Sequence, residues 1–214
     1  MTTEMITEMT TEMTTEPQVF LVDDQPAVLK AMTRLLDSAG LQARGYESAQ
    51  AFLESGHASQ PGCLVLDLAM PGMDGMALQQ RLREIESDLP IIFLTGHGNI
   101  DTGVQAMKLG AQDFLTKPVD ADKLLPAIQA AFVRNQQARQ SRAEKLAIQS
   151  RLDSLTPREL EVLHLIVEGK LNKQVAAELG TVEKTIKVHR ARVMSKMGVS
   201  SLASLIHLLE KRKD

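Results

Sequence analysis

The sequence predicts a doubly wound α/β domain joined by a helical linker to a smaller all-α domain. Three observations support this prediction. Short apolar runs alternate with helix-patterned segments over residues 17–133, as in βα repeats around a parallel sheet. Strong helix formers without Pro or Gly fill residues 134–153, and residues 154–214 contain only helical patterns. The net charge changes from −6 over residues 17–133 to +4 over residues 154–214.

The charge split indicates that the basic domain meets a polyanion, although charged residues that only solvate a surface are the simpler alternative. The chain of 214 residues is 43% apolar and 24% charged, as in ordinary globular proteins. No apolar run approaches the roughly 20 residues that span a bilayer, and the N-terminus lacks a signal-peptide pattern. The single Cys63 has no disulfide partner in the chain and fits a reducing compartment. We therefore expect a cytoplasmic protein with no membrane segment.

Residues 1–16 are four tandem tetrads of the Met-Thr-Thr-Glu type, with four acidic side chains and no basic one. Such a segment can bury little apolar surface. We therefore expect it to be a disordered tail outside the α/β domain.

Four apolar runs of the α/β domain are predicted to be buried strands, at residues 19–22, 63–66, 91–94 and 114–115. Five helices are predicted between and after these runs, so we expect five βα repeats, and Ser48 is expected to cap the short helix Ala49–Glu54. The inward-facing helical residues are predicted to be Val28, Leu29, Met32, Leu35 and Leu36 in the first helix, Leu78, Leu82 and Ile85 after the turn at residues 71–75, and Leu124, Leu125, Ile128 and Phe132 in the last.

Polar side chains stand at the carboxyl ends of these strands. They are Asp23, Asp24, Asp67, Thr95 and Lys117. Ligands of open α/β sheets bind at this edge, so we expect the five side chains to converge there. Three carboxylates, one hydroxyl and one ammonium suit a Mg²⁺-dependent phosphoryl site.

The all-α domain begins with a strong helix start, in which Thr156 is the N-cap, Pro157 the first helical residue and Glu159 the partner of a capping box. A short helix from residue 172 to 179, a turn at Gly180 and a basic helix over Glu183–Met197 form a predicted helix-turn-helix. The core-facing residues are predicted to be Leu160, Val162, Leu163, Ile166 and Val167 in the first helix, Ile186, Val193 and Met197 in the basic helix, and Leu202, Leu205, Ile206 and Leu209 in an apolar last helix that suggests a partner subunit.

Several motifs in this order carry a resemblance to a known family. Val22-Asp23-Asp24, Leu66-Asp67, residues 70–75, residues 94–98 and residues 114–118 resemble the receiver domain of two-component response regulators. Leu155 to Glu159, Asn172-Lys173 and residues 185–190 resemble a LuxR-type output domain. The chain is thus similar to the FixJ/NarL class, and within it to the styrene-catabolism (StyR) type. The resemblance implies a flavodoxin-like receiver with five parallel strands in the order 2-1-3-4-5 over residues 17–133, a linker over 134–153 and a helix-turn-helix domain over 154–214.

The resemblance also implies residue roles. Asp67 would accept a phosphoryl group from a sensor histidine kinase, with Thr95 and Lys117 contacting the phosphoryl oxygens. Asp23, Asp24, Asp67 and the main-chain carbonyl of Ala69 would hold Mg²⁺ or Mn²⁺. Thr95, Phe114 and Pro118 would form the switch, with a cis bond before Pro118, and phosphorylation would promote a homodimer. Ala69 stands where many relatives carry a longer side chain, which leaves room for water.

The output domain would bind double-stranded DNA and work with RNA polymerase. The expected contacts to bases or phosphates are Asn172, Lys173, Lys184, Thr185, Lys187, Val188, Arg190, Ala191 and Arg192. Val182 stands where a Ser or Thr often caps the recognition helix, so Thr181 is expected to cap it instead.

Two other functional classes remain open from the sequence. A phosphatase of the haloacid-dehalogenase type also uses a strand-end Asp and Mg²⁺, but it needs a second acid two residues later, where this chain has Ala69. A transcription factor with a degenerate receiver that works without phosphorylation would keep the fold and lose the reaction.

Overall fold

The computed structural model describes residues 16–96 and 100–212. The predicted disordered tail, apart from Glu16, and the end of the motif at residues 94–98 lie outside the described residues. The chain divides into two compact units, residues 1–139 and 140–214. The boundaries predicted from the sequence, after residues 133 and 153, stay a prediction. None of the helices within the described ranges combines the length and apolar character needed to cross a bilayer.

The first unit alternates strands and helices around one parallel sheet. Its elements are β1 (Gln18–Val22), α1 (Pro26–Ser38), β2 (Ala43–Tyr46), α2 (Ala49–Glu54), β3 (Gly62–Asp67), α3 (Gly75–Glu84), β4 (Ile91–Thr95), α4 (Ile100–Lys108), β5 (Asp113–Thr116) and the first part of α5 (Ala121–Asp153). The strand order is β2-β1-β3-β4-β5, and every pairing is parallel. The predicted doubly wound fold and strand order are therefore confirmed.

Apolar side chains cover both faces of the sheet. On β1, Phe20 and Val22 belong to one buried cluster, whereas Val19 and Leu21 belong to the other. This two-sided burial is why the central strands are continuous apolar runs. The short helix after Ser48 also has the predicted bounds, and the Ser48 hydroxyl accepts a hydrogen bond from the Ala51 amide at 3.1 Å.

The sequence prediction differs from the structure at two places in this unit. β2 (Ala43–Tyr46) was not recognised as an apolar run, because it is an edge strand whose residues are exposed or half-buried. Ile85 was predicted to face inward, but α3 ends at Glu84 and the Ile85 side chain is 45% exposed. Leu78 and Leu82 are buried as predicted.

The second unit is entirely helical among its described residues. It contains the remainder of α5, α6 (Pro157–Val167), α7 (Asn172–Glu178), α8 (Glu183–Met197) and α9 (Leu202–Glu210). Its core includes Val162, Ile166, Ile186, Val193 and Met197, all as predicted. Leu160 was predicted to face inward but is 38% exposed, so that prediction was wrong.

Of the two N-caps that were predicted in the second unit, the cap of α6 is confirmed and the cap of α8 is wrong. Thr156 and Glu159 form the predicted capping box at the start of α6. At α8 the N-cap is Val182, whose side chain cannot accept a hydrogen bond, and not Thr181. The helix begins at Glu183 because Val182 already has extended backbone angles, so the predicted shift of the cap by one residue was wrong.

Candidate functional site

The polar strand-end residues lie at one edge of the sheet, because β1, β3, β4 and β5 are neighbours and run in the same direction. Asp67 ends β3 and Thr95 ends β4, and each is almost fully buried. Asp23 and Asp24 follow β1, and Lys117 follows β5. The structure thus brings together three acids, a hydroxyl and an amine that are up to 94 residues apart in sequence.

The three carboxylates form a compact acidic cluster. One oxygen from each of Asp23, Asp24 and Asp67 lies within 4.8 Å of the others. The Oδ1 atom of Asp24 is buried and has no hydrogen-bond partner, and a buried carboxylate oxygen in this state is costly. Hard divalent cations prefer such oxygen ligands, so the donor set fits Mg²⁺ or Mn²⁺. The carbonyl of Ala69, two residues after Asp67, belongs to the loop that follows β3.

Lys117 reaches into this cluster and makes two ion pairs. Its Nζ lies 2.5 Å from Oδ2 of Asp23 and 3.1 Å from Oδ2 of Asp67. Burial alone would lower the pKa of Lys117, but its hydrogen bonds to Asp23 and Asp67 and the charges of both acids outweigh burial and raise the pKa. The amine is therefore a fixed positive charge beside the carboxylate of Asp67.

The backbone after β5 holds Lys117 in this position. The amide of Lys117 donates to the carbonyl of Thr95 at 2.7 Å, which extends the pairing of β4 and β5 by one residue. The bond between Lys117 and Pro118 is cis, as the resemblance implies. Phe114 is half-buried, and its ring lies 6.3 Å from that of Phe93. A Cβ added to Gly103 of α4 would lie 3.4 Å from the Phe114 ring, so α4 and the ring are in close contact.

Gly75, which the sequence predicts only as part of a turn, is also a residue of this site. A Cβ at Gly75 would lie 2.6 Å from the carbonyl oxygen of Asp67 and 3.0 Å from Cα of Leu68. The Gly75 amide also donates to the Leu68 carbonyl at 3.0 Å. The first turn of α3 therefore packs directly on the backbone that carries Asp67. The sequence signal for this contact is the glycine itself, because glycine permits close approach of another backbone segment. The glycine does not identify which segment approaches.

A second candidate surface lies on α8 in the helical unit. Ile186, Val193 and Met197 point into the core, so the opposite side of the helix faces solvent. The predicted DNA-contacting residues on that helix are exposed at Lys184, Lys187, Val188, Ala191 and Arg192 and half-buried at Thr185 and Arg190.

The start of α7 contributes to the same surface. Asn172 accepts a hydrogen bond from the Arg190 guanidinium at 3.3 Å, so the beginning of α7 lies beside α8. Lys173 is exposed next to it. Lys187 pairs with Glu183 at 3.2 Å, one helical turn earlier, and both side chains are exposed. The structure thus gathers the predicted residues on one face, which is positively charged apart from Glu183.

An ion pair that the sequence analysis missed fixes α8 to the start of α6. Glu159 is buried, and its Oε2 accepts from Lys196 at 2.7 Å and from the Thr156 amide at 2.9 Å. The hydrogen bond from Lys196, together with that from Thr156, lowers the pKa of Glu159 to about 2. The capping-box pattern predicted Glu159, but no local pattern predicts a partner 37 residues away.

Comparisons with known proteins agree with this geometry. Residues 19–129 match the family model of the response regulator receiver domain, and residues 153–209 match that of bacterial regulatory proteins of the luxR family. The chain is 42% identical to the response regulator protein TodT of Pseudomonas putida, over 92% of this chain and 86% of the relative. It is 41% identical to the transcriptional regulatory protein FixJ of Bradyrhizobium diazoefficiens, over 89% of this chain and 93% of the relative.

Two solved structures cover both units. The low-resolution structure of the response regulator StyR has a TM-score of 0.84 and 46% identity, covering 92% of this chain and 100% of that one. Full-length FixJ from B. japonicum has a TM-score of 0.57 and 39% identity, covering 93% and 98%. The similarity to StyR agrees with the expectation from the sequence that the chain resembles the StyR type within the FixJ/NarL class.

Proposed function

Because the chain belongs to the response regulators of the FixJ/NarL class, we propose that Asp67 receives a phosphoryl group from a sensor histidine kinase and thereby controls DNA binding by α8. The chain is a DNA-binding transcriptional response regulator. The phosphoacceptor, the metal, the dimer and the DNA contacts are the parts that we propose.

The chemistry follows from the neighbours of Asp67. A carboxylate oxygen of Asp67 attacks the phosphorus of a phosphohistidine, the P–N bond breaks, and its electron pair returns to the imidazole, which takes up a proton. Phosphoryl transfer depends mostly on positioning and charge neutralisation. Lys117 supplies a positive charge to one phosphoryl oxygen, and the Thr95 hydroxyl donates to another.

A divalent cation fits the same site. Mg²⁺ or Mn²⁺ would be held by Asp23, Asp24, Asp67 and the carbonyl of Ala69, and it would neutralise the crowded negative charge. The unpartnered buried oxygen of Asp24 supports this assignment.

The observation that carries the proposal is the position of the Lys117 amine, 3.1 Å from the Asp67 carboxylate. An amine and an acid at this distance, with two further acids within 4.8 Å, form a site for a metal-bound anion. No described feature favours the phosphatase alternative, because the residue two positions after Asp67 is the exposed Ala69 and not an acid.

The output follows from the switch residues. When Thr95 bonds to the phosphoryl group, Phe114 turns inward behind it and changes the face formed by α4, β5 and α5. That face then forms a homodimer, which presents two copies of α8 to double-stranded DNA and recruits RNA polymerase. Action on DNA places the protein in the cytoplasm.

The test compares wild type with Asp67→Asn after incubation with acetyl phosphate and Mg²⁺, using a phosphate-affinity gel. A stable shift in wild type alone supports the proposal. Rapid release of phosphate with repeated turnover would instead support the phosphatase, and no shift under any condition would support the phosphorylation-independent factor. Phosphorylated wild type should also bind DNA with an affinity that falls steeply as salt rises.

A further inference from the structure

The C-terminal end of the recognition helix α8 is held by the last turn of α5. Nη1 of Arg151, two residues before α5 ends, donates to the carbonyl of Met197 at 3.0 Å, and Met197 is the last residue of α8. This carbonyl is one of those left without a partner inside the helix. The positive guanidinium also lies at the negative end of the α8 dipole, which is the favourable arrangement.

A second hydrogen bond runs from α8 back to the end of α5. Nζ of Lys196, from the last turn of α8, donates to the carbonyl of Ser154, directly after α5, at 2.8 Å. The same amine pairs with Glu159. Leu152, between Arg151 and Ser154, packs against the core cluster that contains Val193 and Met197. Two polar contacts therefore join the end of α5 to the end of α8, and Leu152 packs the end of α5 on the core of the unit.

Gly198 explains why the guanidinium can approach so closely. Its φ of 68° is in the left-handed region, and its amide and that of Val199 satisfy the carbonyls of Ser195 and Met194. A Cβ on Gly198 would lie 3.2 Å from Nη1 and 3.5 Å from Cζ of Arg151. The glycine thus ends the helix and leaves room for the arginine.

We propose that Arg151 is a positioning residue for DNA recognition, which acts through Met197 to fix the direction of α8. The inference deepens the proposed function, because it rests on the exposed face of α8 binding DNA. Arg151 itself touches the end of α8 that is farthest from Lys184 and Lys187. Since a helix of 15 residues is a stiff rod about 22 Å long, a small rotation at the Met197 end displaces the side chains at the other end by several ångströms.

The test uses the phosphorylated full-length protein and two DNA probes. One probe is a fragment enriched from a random pool by binding to wild type, and the other is its scrambled sequence. The variants are Arg151→Gln, Arg151→Lys and Lys187→Ala, with Lys145→Gln as a control that removes the same charge from the same helix. Dissociation constants are measured over a salt series at a temperature where circular dichroism shows each variant to be folded.

Positioning predicts that Arg151→Gln weakens binding to the enriched probe at least fivefold more than Lys145→Gln does. Binding to the scrambled probe and the salt slope should match those of the control, because no phosphate contact is lost. Arg151→Lys should recover part of the affinity, since its amine can still donate to the Met197 carbonyl.

Two results would overturn the inference. Equal weakening on both probes, with a salt slope reduced by about 0.9, would make Arg151 a direct phosphate contact. Equal affinities for Arg151→Gln and Lys145→Gln would show that the contact does not matter for recognition. Lys187→Ala shows whether the further inference or the proposed function has failed. If Lys187→Ala also binds both probes like wild type, then α8 is not the DNA-reading element and the proposed function fails.

Discussion

Lys117 stands between two carboxylates that would repel each other without it. Its amine bonds to Asp23 and Asp67 from a position that is itself partly buried. An incoming phosphoryl group offers the same amine a more negative partner than either acid. The lysine can therefore transfer its contact from an acid to the phosphoryl group without leaving the site.

Replacing Lys117 by Met should slow phosphorylation by acetyl phosphate roughly tenfold to a hundredfold. A hydrogen bond to a charged group contributes about 1.5–3 kcal/mol. The bond from Lys117 to a phosphoryl oxygen forms only when the phosphoryl group is present, so its loss slows the reaction. Rates measured by phosphate-affinity gel would check this, with circular dichroism confirming the fold. A rate equal to that of wild type would exclude Lys117 from the reaction.

Ala69 has a small side chain where a longer one would occupy space close to Asp67. It is exposed, two residues after the proposed phosphoacceptor. We expect the small side chain to leave room for water beside the proposed acyl phosphate, so Ala69→Leu should lengthen the phosphate half-life several-fold. The half-life is measured by following loss of the gel shift after removal of acetyl phosphate. An unchanged or shorter half-life would show that access at this position does not limit hydrolysis.

Glu159 should make the stability of the helical unit depend on pH in the acid range. Its hydrogen bond from Lys196 lowers its pKa from 4.5 to about 2. A lowered folded-state pKa means that the stabilisation is complete above the unfolded-state pKa and is lost as pH falls from about 4.5 towards 2.

The measurement is urea unfolding at pH 5 and pH 3, comparing wild type with Glu159→Gln. The wild type should lose more stability than the variant between the two pH values, because the glutamine does not titrate. Glu161→Gln, an exposed acid two residues away, is the control and should behave like wild type. Parallel losses in all three proteins would contradict the role given to the ion pair.

The junction of β3 and α3 is a packing constraint on the reactive acid. The first turn of α3 approaches the Asp67 carbonyl so closely that only glycine fits at position 75. Because close-packed backbone cannot yield as a flexible side chain does, an added methyl group must move either α3 or the end of β3.

Gly75→Ala should destabilise the first unit by about 1–3 kcal/mol and slow the phosphorylation of Asp67. Gly96→Ala is the matched control, since a Cβ there would meet no atom of the described residues within 4 Å although Gly96 is next to Thr95. Denaturant unfolding and the phosphorylation assay measure the two effects. If Gly75→Ala matched Gly96→Ala in both, the close contact would not constrain the site.

The whole chain joins an acidic receiver unit to a basic DNA-binding one through residues that lie in the single helix α5. Val104 and Met107 on α4 are 48% and 46% exposed, which leaves apolar surface on the face proposed for the dimer. Apolar surface of this kind supports association when a switch changes its surroundings.

Phosphorylation should therefore convert wild type from monomer to dimer, as chemical crosslinking before and after acetyl phosphate would show. Asp67→Asn should remain monomeric under both conditions, and Met107→Glu should be phosphorylated at the normal rate but fail to dimerise. Equal amounts of dimer before and after phosphorylation would show that dimerisation does not depend on phosphorylation.

The sequence by itself determined the strand-end residues, the capping box at Thr156 and the residue range of α8, although not its N-cap. Each of these depends on a local pattern that neighbouring residues contain. It also indicated the fold, since buried parallel strands must be apolar on both faces. Only the tertiary structure decided that β2 is an edge strand, that Ile85 and Leu160 are exposed, and that Gly75 contacts Asp67. It alone also brought Lys196 to Glu159 and Arg151 to Met197. These contacts join residues far apart in the chain, so they depend on how the helices and strands pack and not on the local sequence pattern.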